Sequence, residues 1–105
     1  MRIFLDVGAH YGETLQEVLK KKYNFDIIYA FEPSKKCLSK LKKYKSKKLI
    51  INNFGLGKKF ENKELYSPGG LGANVYVNSN NQNTERILIK QASKWFKNNI
   101  KNNDI

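Results

Sequence analysis

The sequence predicts an α/β protein with a parallel sheet, and two observations lead to this prediction. Short apolar runs alternate, along the first half of the chain, with segments in which apolar residues recur every three or four positions. Strands that alternate with amphipathic helices give this pattern. The links between the segments are short, so we expect successive strands to lie parallel and to be joined by right-handed crossovers. A length of 105 residues allows one domain at most.

Three strands are expected in this first half, because three short segments are almost entirely apolar. Near-continuous apolar runs are typical of parallel strands that are buried on both faces. The predicted strands are residues 2–7, 26–31 and 48–52.

Two amphipathic helices are predicted between these strands. The first begins at Glu13, an acidic residue that suits the positive end of a helix dipole, and runs to about Lys22. The second follows Ser34, which can cap it, and runs to about Tyr44. Cys37 lies on the apolar face of this second helix, where we expect it to be part of the core.

The second half of the chain has a weaker pattern. Trp95 and Phe96 belong to a predicted final helix, where they would be part of the core or cover an edge of the sheet. Composition indicates two loops, one rich in glycine and one rich in asparagine. The predicted elements are strands at 63–66 and 85–90, a helix at 92–100, and loops at 67–72 and 78–84.

The net charge of +11 comes almost entirely from lysine, because Arg2 and Arg86 are the only arginines. Proteins that recognise bases and phosphates specifically depend on the arginine fork. We therefore interpret the lysines as a solvated surface and expect no nucleic-acid partner, although attraction to an acidic partner stays open. The densest group of lysines consists of Lys35, Lys36, Lys40, Lys42, Lys43, Lys45, Lys47 and Lys48.

The remaining composition favours a cytoplasmic protein without a membrane partner. No apolar run approaches the roughly 20 residues that a membrane span requires, and the first residues are too short an apolar stretch for a signal peptide. The single cysteine cannot form an internal disulfide and suits a reducing compartment.

The segment Asp-Val-Gly-Ala-His-Tyr-Gly-Glu-Thr at 6–14 is the strongest functional signal. It lies between a predicted buried strand and a helix, at the edge of an open α/β sheet where ligands bind. Gly8 would let the backbone approach a ligand closely, and Gly12 would let the helix start tight against the strand. Unpaired N–H groups at the helix start would attract an anionic group. The alternative is an ordinary turn between strand and helix.

The spacing of these glycines distinguishes between nucleotide classes. The dinucleotide fingerprint is G-x-G-x-x-G, whereas this chain has G-x-x-x-G after an aspartate. A phosphate-binding P-loop requires Gly-Lys-Ser/Thr, which is absent here. With pyrophosphate disfavoured, the remaining common ligand is a nucleoside without phosphates, such as S-adenosylmethionine.

Glu32 is the second signal, twenty residues after Gly12 at the end of the second predicted strand. A carboxylate there can accept hydrogen bonds from both hydroxyls of a ribose, although a surface acid before a proline is the alternative. Asp6 would either organise the loop or contact the ligand. His10 and Asn53 are either ligand contacts or turn residues.

The candidate cofactor-binding residues are Asp6, Gly8, Ala9, His10, Gly12, Glu32 and Asn53. We assign no catalytic residue, because no histidine or acid has the partner that a general base needs. We also predict no metal site, because the single histidine and the single cysteine are distant in the sequence.

These motifs resemble the opening of the FkbM-type S-adenosylmethionine-dependent methyltransferases. The resemblance rests on the glycine segment, on Tyr-Ala-Phe-Glu-Pro at 29–33 and on Asn-Phe-Gly-Leu-Gly at 53–57 with the blocks that follow, from about residue 2 to 92. It implies a class I, Rossmann-like methyltransferase domain over residues 1–105, with S-adenosylmethionine as cofactor. It also implies methyl transfer to an oxygen of a small molecule or a glycan.

The chain departs from the family at its carboxyl end. The family continues with a strand bearing a Lys-x-Asp-x-Glu-Gly-type block, and nothing here matches it. In that family the missing strand pairs with the first one, so we expect about the first half of the fold. The first strand would then be an open edge that needs a partner chain or a second copy. The alternative function is a non-catalytic nucleotide-binding or interaction module with a basic surface.

Overall fold

A computed structural model describes residues 1–66 and 84–100 of the chain. Nine helices and strands are described, together with a single 3₁₀ turn at Lys21–Tyr23. In chain order they are β1 (Ile3–Val7), α1 (Glu13–Val18), β2 (Ile27–Phe31), α2 (Lys35–Leu41), β3 (Leu49–Asn52), β4 (Gly55–Gly57), β5 (Glu61–Tyr66), β6 (Thr84–Gln91) and α3 (Ala92–Asn99).

The first sheet confirms the predicted α/β class. Its three strands are parallel in the order β1-β2-β3, and Leu5 lies opposite Tyr29, which lies opposite Ile50. Because all three strands run the same way, the loop after β1 and the link after β2 meet at one edge of the sheet. Within the described part of the chain, β1 pairs on one side only.

Helix α1 is shorter than predicted. It ends at Val18, and Lys20 adopts an extended backbone before the separate 3₁₀ turn. Glu17 accepts hydrogen bonds from Lys20 Nζ at 2.9 Å and from the Tyr23 hydroxyl at 2.5 Å, which holds the turn back against the helix. The prediction of one helix to Lys22 is therefore wrong.

Helix α2 begins as predicted but ends earlier, at Leu41 instead of about Tyr44. Ser34 is the N-cap, and its Oγ accepts a hydrogen bond from the Cys37 amide at 3.4 Å. Capping of this kind contributes about 1 kcal/mol to helix stability. Glu85 of β6 accepts a hydrogen bond from the Lys35 amide at 2.7 Å, which ties the first turn of α2 to the second half of the chain.

One face of the first sheet carries the main core. Helices α1 and α2 pack there, and their apolar side chains meet alternate residues of the strands, as the strand period requires. Burial of this apolar surface is the main favourable contribution to stability. The core cluster consists of Ala9, Leu15, Val18, Ile28, Ala30 and Leu41, with Phe4, Leu19, Phe25, Tyr44, Leu49 and Ile51 packed against it.

The opposite face is covered in part by α3. The Trp95 ring contacts the rings of Tyr29 and Phe31 edge-on, with centroids 5.0 and 4.8 Å apart, a favoured aromatic geometry. Trp95 is buried, as predicted for a core or covering residue. Val7, at the end of β1, and Ile50, in β3, remain 56% and 44% exposed, so α3 covers this face of the sheet only in part.

A second sheet, in the order β4-β6-β5, was not foreseen as a sheet. Strand β4 pairs parallel with β6, and β5 pairs antiparallel with it. The glycines of β4 permit this pairing, because a Cβ on Gly55 or Gly57 would lie 2.8 or 2.9 Å from Ile89. The two strands predicted at 63–66 and 85–90 and the final helix are confirmed with slightly different ends.

The two predicted loops lie outside the described residues, except for Thr84, which begins β6. No helix in the described ranges is long and apolar enough to cross a membrane.

Candidate functional site

The loop between β1 and α1 turns through three residues with positive φ. Gly8, His10 and Gly12 have φ values of 78°, 52° and 96°, in the region that glycine enters without strain. A Cβ on Gly8 would meet no atom within 4 Å, so the backbone there is open to an approaching group. A Cβ on Gly12 would overlap the Tyr44 ring. Gly12 is therefore required for packing against the residues that follow α2.

The amides of this loop are largely paired within the protein. Gly8 and Ala9 donate to the Phe31 carbonyl at 2.9 and 3.2 Å, and Gly12 donates to the Ala9 carbonyl at 2.9 Å. The His10 amide donates to Glu32 Oε1 at 2.7 Å. These four loop amides are therefore not free to bind an anion. The expectation for the amides at the start of α1, which begins at Glu13, stays a prediction.

Glu32 holds the loop and the β2–α2 link together. Its carboxylate accepts from the His10 amide and, through Oε2, from the Ser34 amide at 3.1 Å. The side chain is only 4% exposed, so the alternative of a surface acid is wrong. Each carboxylate oxygen can accept a second hydrogen bond, which leaves Glu32 capable of binding a ligand hydroxyl at the same edge.

Asp6 is buried beside this network and is not fully satisfied. It is 8% exposed, and its Oδ2 has no hydrogen-bond partner among the described residues. Burial, and then repulsion from Glu13 and Glu32, raise the pKa of this carboxyl, which His10 lowers in part. The amides of residues 8, 9, 10 and 12 donate to groups other than Asp6. The buried Oδ2 of Asp6 is available to a ligand.

The side chain of Asn53 bonds to the backbone, as the turn alternative expects, and its contact with a ligand stays a prediction. Its Nδ2 donates to the Glu32 carbonyl at 2.9 Å and to the Pro33 carbonyl at 3.1 Å. These bonds fix the backbone on which the Glu32 side chain stands. The amide nitrogen of Asn53 therefore supports the site through Glu32.

The structure brings His10 and Cys37 together with Glu32. Cys37 Sγ lies 4.0 Å from His10 Nδ1, and one ligand atom from each of the three residues lies within 4.8 Å of the others. His10 and Cys37 are therefore close in space although they are distant in the sequence, so sequence separation was not a valid ground for predicting no metal site. Cys37 is buried, as predicted, and its burial, followed by the charge of Glu32, raises the pKa of the thiol. The predicted parallel sheet could have indicated this proximity, because it places the segment after β1 and the segment after β2 at the same edge of the sheet.

Two other features lie apart from this edge. The lysines of α2 and the residues after it are mostly exposed, as expected for a solvated basic surface; the exposed ones are Lys35, Lys36, Lys40, Lys42, Lys43, Lys45 and Lys47. A cavity of about 440 Å³ is lined by Phe60 and by residues of β6 and α3, including Lys90, Lys94 and Trp95. None of the predicted cofactor-binding residues lines it.

Comparisons of the chain with protein-family models, with curated proteins and with solved structures found no match.

Proposed function

We propose that the chain binds S-adenosylmethionine at the carboxyl edge of β1 and β2, as the cofactor-binding half of a class I methyltransferase. The main support is that Gly8 and the Glu32 carboxylate lie at the ends of adjacent parallel strands. Gly8 has a left-handed backbone, and the space where a side chain would project is open. Ligands of open α/β sheets bind at such an edge. The three parallel strands, flanked by α1 and α2 on one face, support the same assignment.

The charges around the loop favour a nucleoside over a pyrophosphate. Glu13 and Glu32 both repel Asp6, so a phosphate anion would meet a negative local potential despite the net charge of +11. The paired amides of residues 8–10 offer a phosphate little compensation. S-adenosylmethionine carries a sulfonium cation and a ribose diol, and both suit carboxylate neighbours.

The residues of this edge would hold the cofactor rather than react with it. Gly8 would let the cofactor approach the backbone closely, and Glu32 would accept hydrogen bonds from the ribose hydroxyls. Asn53 holds the backbone of Glu32 in place through its hydrogen bond to the Glu32 carbonyl. S-adenosylmethionine, when bound, supplies a methyl group for in-line displacement by a hydroxyl of a small molecule or glycan. Alignment of the two reactants is the main requirement of that step, and we assign no general base.

The ribose role of Glu32 is testable by combining a single substitution with a change of ligand. We expect Glu32→Gln to weaken binding of S-adenosylhomocysteine by about 10- to 100-fold, which corresponds to a charged hydrogen bond of about 1.5–3 kcal/mol. Glu61→Gln, on β5 in the second sheet, is the matched control and should leave affinity unchanged. Calorimetry on both variants, with thermal unfolding as a check of folding, provides the measurement.

A second ligand distinguishes direct contact between Glu32 and the ribose from the role of Glu32 in holding the loop. The 2′,3′-dideoxy analogue lacks the hydroxyls, so Glu32→Gln should cost much less affinity for it than for the parent ligand. An equal loss for both ligands would show that Glu32 acts only by holding His10 and Ser34. Failure of the folded wild-type chain to bind either ligand would favour the alternative, an interaction module that presents its exposed lysines to an acidic partner.

A further inference from the structure

We propose that His10, Glu32 and Cys37 form a binding site for a thiophilic divalent cation, with Zn²⁺ as the best match. Imidazole nitrogen, carboxylate oxygen and cysteine sulfur are the three ligand types that zinc uses in proteins. All three ligand atoms lie within 4.8 Å of one another. The cation site shares Glu32 with the proposed ribose contact and adds Cys37, which has no part in the proposed cofactor site.

The separation of Cys37 and His10 is close to that in a tetrahedral zinc centre. Zinc bond lengths of about 2.3 Å to sulfur and 2.0–2.1 Å to nitrogen place those two atoms about 3.5 Å apart at a tetrahedral angle. The observed distance from Cys37 Sγ to His10 Nδ1 is 4.0 Å. The Glu32 oxygen lies within 4.8 Å of the other two ligand atoms, so the three side chains would move closer together around a cation.

Each ligand stands on a fixed piece of backbone. His10 has a φ of 52° and is held through its amide by Glu32, which also accepts from Ser34. Cys37 lies in the first turn of α2, where Ser34 caps the helix. Supported ligands of this kind lose little freedom when the cation binds.

The local charge also favours a cation. Asp6 has a buried, unpartnered Oδ2 and interacts electrostatically with both His10 and Glu32. Glu85 has a second buried oxygen, Oε1, without a partner among the described residues, and its charge acts on the Cys37 thiol. A divalent cation would compensate this concentration of buried acids. Binding would release the thiol proton of Cys37 to solvent, so the site would gain a net single positive charge.

Three protein ligands would leave a fourth zinc position for water or another ligand. His10 is only partly buried, so this position can face the open side of the loop. A bound cation would join the β1–α1 loop to α2 and thereby stabilise the folded chain by mass action.

Cobalt provides a direct readout that does not involve S-adenosylmethionine. Untagged, metal-free chain is titrated with Co²⁺, and we expect a sulfur-to-cobalt charge-transfer band that saturates at one equivalent and is abolished by Zn²⁺. Cys37→Ala should eliminate the band. His10→Asn, which suits a left-handed backbone, and Glu32→Gln should each weaken cobalt binding at least tenfold, whereas Glu61→Gln should not change it.

Zinc should also raise the thermal unfolding midpoint of the wild-type chain but not that of Cys37→Ala. Absence of the band in folded wild-type chain would overturn the proposal, as would a band that His10→Asn and Glu32→Gln leave unchanged. In the second case Cys37 would bind cobalt without the other two ligands. Retained binding of S-adenosylhomocysteine by Cys37→Ala would show that the cofactor proposal stands or fails separately.

Discussion

Gly8 and Gly12 share one loop and a left-handed backbone, but the structure requires them for different reasons. A side chain at Gly8 would enter open space, whereas one at Gly12 would overlap the ring of Tyr44. Gly8→Ala should therefore cost only the backbone strain of about 1–2 kcal/mol. Gly12→Ala should add an overpacking cost of about 1–3 kcal/mol to the same strain.

Denaturant unfolding of the two variants, compared with wild type, measures this difference. Gly8→Ala should nevertheless weaken binding of S-adenosylhomocysteine, because its methyl group would occupy the open approach to the loop. Equal losses of stability in the two variants would contradict the packing role of Gly12. Unchanged ligand affinity in Gly8→Ala would contradict the proposal that the ligand approaches the backbone at Gly8.

The positions of the candidate site residues along the fold could be predicted from the sequence, but their contacts with one another could not. Gly8, Gly12 and Glu32 could be placed at the sheet edge, because a buried strand followed by glycine fixes where the loop must lie. The hydrogen bonds of Glu32 to the His10 and Ser34 amides depend on three-dimensional approach, which spacing does not encode. The proximity of His10 to Cys37 was missed for the same reason.

At the scale of elements, a hydrogen bond between Glu17 and Tyr23 joins α1 to the 3₁₀ turn that follows it. This bond, and then the one from Lys20, lower the pKa of Glu17 from 4.5 to about 2. The interaction should stabilise the fold fully above about pH 4.5 and be lost as the pH falls through about 2, because a lowered folded-state pKa favours the ionised native state.

Tyr23→Phe removes the first of these bonds. We expect the pKa of Glu17 to rise toward its ordinary value, and part of the loss of stability between pH 4.5 and 2 to disappear. Carboxyl chemical shifts followed by NMR across this range check the result, and Tyr29→Phe, a ring far from Glu17 in the sequence, is the control. An unchanged Glu17 titration in Tyr23→Phe would refute the link.

The elements with strong local patterns were predictable, and those that depend on distant partners were not. Strands β1 to β3 are apolar runs, and α2 has a serine cap, so local sequence determines them. Strand β4 is three residues long and exists because Gly55 and Gly57 let Ile89 approach. No local period can indicate such a strand, since its partner β6 is more than 25 residues away.

At the scale of the whole molecule, the first sheet is fully covered on one face only. Helices α1 and α2 close that face, while Trp95 covers the other in part and leaves Val7 and Ile50 exposed. In the described part of the chain, the outer side of β1 pairs with no strand. An unpaired strand edge presents backbone N–H and C=O groups with which a further strand can pair.

The central claim is that the edge formed by β1 and β2 binds a nucleoside without phosphates. The most direct test is calorimetric titration of the folded 105-residue chain with S-adenosylhomocysteine, and with NAD as the pyrophosphate-bearing comparison. Our account predicts saturable binding of S-adenosylhomocysteine at one site, with NAD bound at least tenfold more weakly. A folded chain that takes up no S-adenosylhomocysteine, or that prefers NAD, would contradict it.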